Sequence, residues 1–363
     1  MSSRSQLVVT NLEELIPQDH FLRKLDSLFP WEKWAEPFEK CFKGEKEYGP
    51  KGYPVGVLLR MTVLSYLYNL GDKQTEIFVS ENLAGRYFAG LSLDAAVPDE
   101  TTLCRFRSRI VKRGRQQALE SLFARIIEQA QKLGIEMGKV QILDSVHTES
   151  KANPEKEKRN GGNPPQDGGA AWGCKGSVKK RDPEGGKLKT EKKWFYGYKT
   201  HMSENQKTGL ATSLTVSAGN ASDNGFSRNL LAKDLAQGLG VTVVTGDKAY
   251  DDTELYAYCH QREIFPAIRV KKNRLEQKSG RLRRFWEDHV KQPFYRAGLK
   301  IRYKIEQKFG EAKTRHGLGR CRYLGLAKFK FQSFLTFMAM NLKRIVKLLE
   351  PGKPRKVYSV SPG

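Results

Sequence analysis

Val140-Gln141-Ile142-Leu143-Asp144 is where this chain changes character. Before it, as far as Leu133, apolar residues recur at three- and four-residue steps, the period of amphipathic helices. From Lys139 a short aliphatic run reads instead as a strand that ends in an acid. Further along, Trp194 to Met202 and Leu210 to Val216 read as two strands rich in aromatic and β-branched residues, joined through Asn205-Gln206-Lys207-Thr208-Gly209 as a hairpin. A helix from Asn224 to Ala236 leads into Val241-Thr242-Val243-Val244-Thr245, a buried strand followed at once by Gly246-Asp247. A helix from Asp252 to Gln261 and a strand from Ile264 to Val270 complete the sheet.

The order strand, hairpin, helix, strand, helix, strand, with a last helix after Lys300, is that of a ribonuclease H-like α/β fold, a mixed sheet with flanking helices. Toward the N-terminus the chain reads as an all-α domain, with helices over Phe21–Phe29, Pro54–Leu70, Lys73–Asn82, Thr101–Val111 and Gln116–Leu133. Pro54 sits where a first helical turn tolerates it. The expected division is a helical domain over 1–134, a ribonuclease H-like domain over 135–350 and a tail over 351–363. The second domain is interrupted at 151–193, where 12 Lys or Arg, 6 acids and 8 Gly accompany four prolines. That composition predicts a flexible basic insert, either a solvated linker or an arm that contacts DNA.

Lys and Arg number 64 against 40 Asp and Glu, a net charge of +24 in 363 residues, so the long-range field favours a polyanion. Nucleic acid is the leading partner. No apolar run approaches the roughly 18 residues of a membrane span, and the N-terminus lacks the apolar core of a signal peptide, so the expected location is cytoplasmic. The five cysteines form no C-x-x-C pair, which argues against a zinc site or a disulfide framework.

Arg302, Glu306 and Lys313 recur at spacings of four and seven; at about 100° per residue they share one helical face within about 40°. A carboxylate flanked by two cations suits work on a phosphodiester, although Arg302 with Glu306 is also an ordinary surface pair. In the expected topology Asp144 leaves the first strand, Asp247 leaves the fourth and Glu306 projects from the last helix toward them. Three hard oxygen ligands there would hold two Mg²⁺ or Mn²⁺ ions. Taken singly, each acid also fits a helix cap or turn. Thirteen basic residues against three acids between Arg269 and Lys304 would line a phosphate channel. Arg105 and Arg107, with Arg109, punctuate an amphipathic helix that suits a DNA reader as well as an ordinary wet face. His147, three residues after Asp144, is placed to sit near the metals but reads better as a hydrogen-bonded structural histidine; Asp223 reads most simply as a helix cap, with a supporting role beside the site left open by its place at a sheet edge. Trp172, Trp194 and Trp286 are candidates for stacking on bases, with packing the better reading for Trp194.

These residues resemble the DDE transposases of bacterial insertion sequences, in the group that includes insertion sequences 5 and 1182. The resemblance runs through Asn82-Leu83-Ala84-Gly85-Arg86-Tyr87-Phe88, Leu143-Asp144-Ser145, Phe195-Tyr196-Gly197-Tyr198-Lys199, Gly246-Asp247-Lys248-Ala249-Tyr250, Ile305-Glu306-Gln307-Lys308-Phe309-Gly310 and Asn341-Leu342-Lys343-Arg344. It implies Asp144, Asp247 and Glu306 as catalytic, metal-holding acids. Arg302, Lys313, Lys248, Arg105 and Arg107 are expected on DNA. The family's Tyr-x2-Arg-x3-Glu-x6-Lys signature is met except at its tyrosine, where Leu299 stands and one DNA contact is missing; Tyr295, one turn earlier, is a candidate substitute if the helix continues back through Gly298. The resemblance further implies Mg²⁺ with Mn²⁺ as substitute, two ions per site, and a homodimer on double-stranded DNA that joins terminal inverted repeats to target DNA, in a prokaryotic cytoplasm at the nucleoid. A nuclease of the same fold without strand transfer, and a non-catalytic DNA-binding descendant, are the alternatives.

Overall fold

The computed structural model of the chain describes residues 11–39, 52–112, 115–159, 163–181, 188–275 and 281–350. Six strands form one mixed sheet: β1 (Val140–Glu149), β2 (Ala171–Arg181), β3 (Leu188–Asn205), β4 (Ala211–Ala218), β5 (Val243–Gly246) and β6 (Phe265–Ile268). β3 pairs antiparallel with both β1 and β4, while β1, β5 and β6 run parallel, so the five strands lie in the order β4-β3-β1-β5-β6. This is the ribonuclease H-like sheet that the order of elements predicts.

Burial explains why the central strands read as continuous apolar runs. Every residue of β5 is buried, as expected of a parallel strand covered on both faces. Val140 and Val243 pack with Ala267 and Ile301 on one face. Leu143 and Val244 pack with Leu230, Leu231, Leu255 and Cys259 on the other, against the helices Ser227–Ala236 and Thr253–His260. The 24-residue helix Leu326–Leu349 closes over β4, where the Asn341 amide both donates to the Ala211 carbonyl (2.8 Å) and accepts from its N–H (2.9 Å). A side chain thereby satisfies backbone groups on an edge strand.

The insert departs from expectation. Its residues 171–181 form β2, which pairs with Leu188–Gly197 of β3 as a long ribbon, and Pro154–Lys158 is helical. The anchor is Asp167, 1% exposed, which accepts from Ser150 Oγ (2.5 Å), the Tyr198 hydroxyl and the Gly325 N–H (3.0 Å). Composition predicts a loop because it counts charges; one buried carboxylate with three donors ties the segment down. Gly197, shared by the ribbon and the central sheet, has the Thr148 carbonyl oxygen 2.1 Å from where a Cβ would sit, so no other residue fits there.

Packing divides the chain into two units, Met1–Leu122 and Phe123–Gly363, with the division inside the helix Gln117–Lys132. The first unit is helical. Its expected helices appear as Phe21–Leu28, Val55–Leu67, Asp72–Glu81 and Glu100–Val111, and two further ones, Trp31–Glu39 and Leu83–Ala89, lie where none was expected. Both bury aromatic residues against one another, Trp31 and Phe88 meeting edge to face at 5.1 Å. At seven and nine residues they are too short to show a period of their own, so packing decides them. Val55–Leu67 is buried almost all round. The tail over 351–363 lies outside the described residues.

Candidate active site

β1 does not stop at Asp144 as expected but runs on to Glu149, because β3 continues to pair with it. What ends there is its parallel pairing with β5, whose last register pair is Leu143 with Gly246. Asp144 and Asp247 therefore each follow a partner of that pair. Asp247 starts the turn Lys248–Tyr250, its Oδ1 accepting from the Lys248 N–H at 2.6 Å.

The third acid arrives by close packing. The helix Pro293–Ile301 lies so near the sheet that a Cβ on Gly298 would stand 2.4 Å from Ala267 Cβ, and Thr245 Oγ1 reaches the carbonyls of Ala267 (2.9 Å) and Gly298 (3.1 Å). The helix breaks at Arg302, which keeps helical dihedrals, and resumes as Tyr303–Arg315. Arg302 and Glu306 thus keep their i,i+4 relation across the joint.

The Arg302 guanidinium is the centre of the group. Nη2 donates to Glu306 Oε1 at 2.6 Å, and Nη1 stands 3.7 Å from Asp144 Oδ2 and 3.9 Å from Asp247 Oδ1. The acids meet through this cation. Among the described residues no three His, Cys, Asp or Glu side chains are gathered to hold a metal ion as they stand. The donor set nevertheless fits a divalent cation: three carboxylates already surround one positive charge, and hard oxygens are what Mg²⁺ and Mn²⁺ take. Asp247 and Glu306 are half exposed, whereas Asp144 is 17% exposed. Burial pushes the Asp144 carboxyl up to about 7; the Ser145 N–H and Arg302 oppose the rise, while Asp247 and Asp223 add to it.

Lys313 is on the same helix, its Nζ donating to Nε2 of His147 at 3.1 Å. Burial, then the charge of Lys313, lowers His147 to about 4, so the ring is neutral and accepts. His147 is hydrogen-bonded as expected, and its partner is one of the site's own cations.

Several expectations need correction. Tyr295 is buried, its hydroxyl accepting from the Val270 N–H at 3.2 Å within a cluster of Trp286 and the partly buried Leu299, so it does not replace the missing tyrosine as a surface contact. Arg107 turns inward and pairs bidentately with Asp72 (2.9 and 2.7 Å), its side chain 9% exposed; its charge is taken up inside the helical unit. Arg105 and Lys248 are exposed. Trp194 lies in the β2–β3 ribbon but is exposed, with the Lys192 ammonium 5.9 Å from its ring, whereas Trp286, also a stacking candidate, is buried. Asp223 makes no cap bond; it accepts from Lys199 Nζ at 2.9 Å and faces His201 Nδ1 at 3.7 Å. Lys199 and buried Tyr250, whose hydroxyl has no hydrogen-bond partner among the described residues, are the neighbours that sequence reading overlooked. Their signal was present in Tyr198-Lys199 and Lys248-Ala249-Tyr250, which adjoin the acids in the quoted motifs.

Among solved structures the chain is similar to a piggyBac transposase synaptic complex with hairpin DNA, at 9% identity over 94% of this chain and 86% of that one, TM-score 0.31. It is also similar to a Mos1 mariner paired-end complex with Mn, at 10% identity over 87% of each chain, TM-score 0.21. At those scores the likeness carries nothing further. The family matches are direct: "Transposase domain (DUF772)" over residues 10–109 and "Transposase DDE domain" over residues 145–342, the latter beginning one residue after Asp144 and spanning Asp247, Glu306 and Lys313. The second match covers more than half of the chain, which therefore belongs to the DDE transposases, enzymes that cleave DNA and transfer its strands.

Proposed function

We propose that Asp144, Asp247 and Glu306 are the catalytic acids of this transposase and hold two Mg²⁺ ions per active site, with Mn²⁺ able to substitute. The observation that carries the reading is the convergence of three carboxylates, from three separate elements, on the Arg302 guanidinium. The chemistry a divalent pair supplies there is polarisation of the scissile phosphate together with the attacking and leaving oxygens. Arg302, displaced from the acids, would turn to a phosphate oxygen, and Lys313, held by His147, would orient a second. Water attacks the phosphodiester at the element's end first and releases its 3′-hydroxyl, which then attacks a target-strand phosphodiester in line, joining to its 5′-phosphate and expelling the target's own 3′-hydroxyl.

Two ends must be joined, so a homodimer on DNA is part of the proposal. The terminal inverted repeats would be read by the helical unit, Arg105 among its contacts, with Lys248 beside the acids on the backbone; the net charge of +24 supports a large phosphate footprint. The proposed setting is the nucleoid of a prokaryotic cytoplasm. Asp144→Asn, Asp247→Asn and Glu306→Gln should each abolish cleavage and strand transfer of end-bearing DNA while retention of that DNA in a gel stays near wild type. Near wild-type cleavage in any one of them removes that acid from the site.

A further inference from the structure

The helix Tyr303–Arg315 has a second face, turned away from Glu306. Lys304, Gln307 and Lys308 on that face line a cavity of about 870 Å³, closed by the hairpin turn Gln206–Gly209, the segment Gly134–Glu136 and the end of the helix Leu326–Leu349. The catalytic proposal uses none of it. The lining carries six cations and three acids. Three of the cations are oriented by the backbone of the turn: Lys308 Nζ donates to the Gly209 carbonyl (2.5 Å), Lys304 Nζ to Gln206 (3.4 Å) and Arg344 Nε to Thr208 (2.7 Å). Lys347 stands exposed at the rim.

Among them Glu204 of β3 lines the cavity while only 3% exposed, and its Oε2 has no hydrogen-bond partner among the described residues. A buried carboxylate oxygen left without a donor is costly, and a site that keeps one gains when a ligand brings the donor. A bare phosphate would suit the cations but would fill little of the space. The ligand that satisfies both ends carries an anion at one end and N–H or O–H donors at the other.

We infer that this cavity binds a nucleotide unit, its phosphate on Lys304 and Lys347 and a donor of its base or sugar on Glu204 Oε2. The unit could come from a free nucleotide or from a strand of nucleic acid, and the inference is independent of which residues perform cleavage. The test uses the full chain in EDTA with two probes, deoxyadenosine monophosphate and a mixed-sequence ten-nucleotide DNA strand. Binding is read by calorimetry, and amide hydrogen exchange at Gln206–Gly209 is followed with each probe.

Wild type should show protection of that turn. The Lys304→Ala/Lys347→Ala double variant should bind at least tenfold more weakly and lose the protection. With the strand, its slope of log K on log salt should fall by about 0.7 per lost phosphate contact. Binding and protection by the mononucleotide identify a free nucleotide as a sufficient ligand; protection by the strand alone identifies nucleic acid. Glu204→Gln should weaken binding of whichever probe protects; should it fail to fold, the double variant, altered toward the rim, still decides. An unprotected turn with both probes, or unchanged affinity and protection in the double variant, overturns the inference.

Discussion

At the scale of single residues the site turns on Arg302, which occupies the centre of three carboxylates. A cation entering that group must displace it. Arg302→Gln should therefore raise the affinity of the DNA-free protein for Mn²⁺ by about tenfold, equivalent to about 1.4 kcal/mol, as followed by electron paramagnetic resonance, while DNA cleavage falls. Unchanged or weaker Mn²⁺ binding would mean that the guanidinium does not compete for the acids. Lys313 tests the other end of the helix. Lys313→Ala should reduce the slope of log K on log salt by about 0.9 for one lost contact to duplex phosphate. It should also slow cleavage at saturating DNA, since positioning carries much of phosphoryl transfer. A purely structural pair with His147 predicts loss of stability with neither effect.

At the scale of elements, the seat of the helix Pro293–Ile301 decides where Arg302 and Glu306 stand. Gly298→Val would drive new atoms into Ala267 Cβ, already 2.4 Å from the place of a Cβ. Overpacking of this kind costs about 1–3 kcal/mol, so the melting temperature should drop. Cleavage should fall further than the lost stability accounts for, because the helix carrying Arg302 is lifted. A variant that melts lower yet cleaves normally while folded would separate the helix seat from the site. The insert makes the complementary point: β2 and β3 form a ribbon because Asp167 gathers donors from Ser150, Tyr198 and Gly325, positions spread over 175 residues. No window of local composition contains that contact.

For the whole molecule, stability should depend on pH through Asp234, fully buried beneath the sheet. Burial pushes its carboxyl up from 3.8 to about 6, against the hydrogen bonds of Ser203, Thr212 and Ser213. The folded state then binds the proton more tightly than the unfolded one. The stability this contributes is complete below the unfolded value near 3.8 and is lost as pH rises through about 6. Asp234→Asn should remove that dependence, giving unfolding free energies that vary less between pH 4 and 8, with a gap from wild type that shifts by about 2 kcal/mol over that range. Parallel curves for the two proteins in urea titrations at each pH would assign the dependence to other groups.

Sequence by itself determined the class of the molecule. Runs such as Val243-Val244-Thr245 and the helical period of Val57, Leu58, Met61 and Leu64 are local signals, and their order suffices for a ribonuclease H-like sheet behind a helical unit. The three acids could be singled out for a related reason: Asp247 follows a recognisable strand, and Asp144 and Glu306 lie in short motifs on a strand and a helix. Tertiary structure alone decided what each polar side chain does. Arg105 and Arg107, two residues apart on one helix, read alike, yet Arg107 meets Asp72 across 35 positions of chain and Arg105 faces water. Trp194 and Trp286 both sit among basic residues, but only the fold buries the second. The gathering of Asp144, Asp247 and Glu306 about Arg302 belongs to the same kind. Periodicity records which face a residue occupies along its own element, whereas charge pairing and burial depend on contacts between elements far apart in the chain.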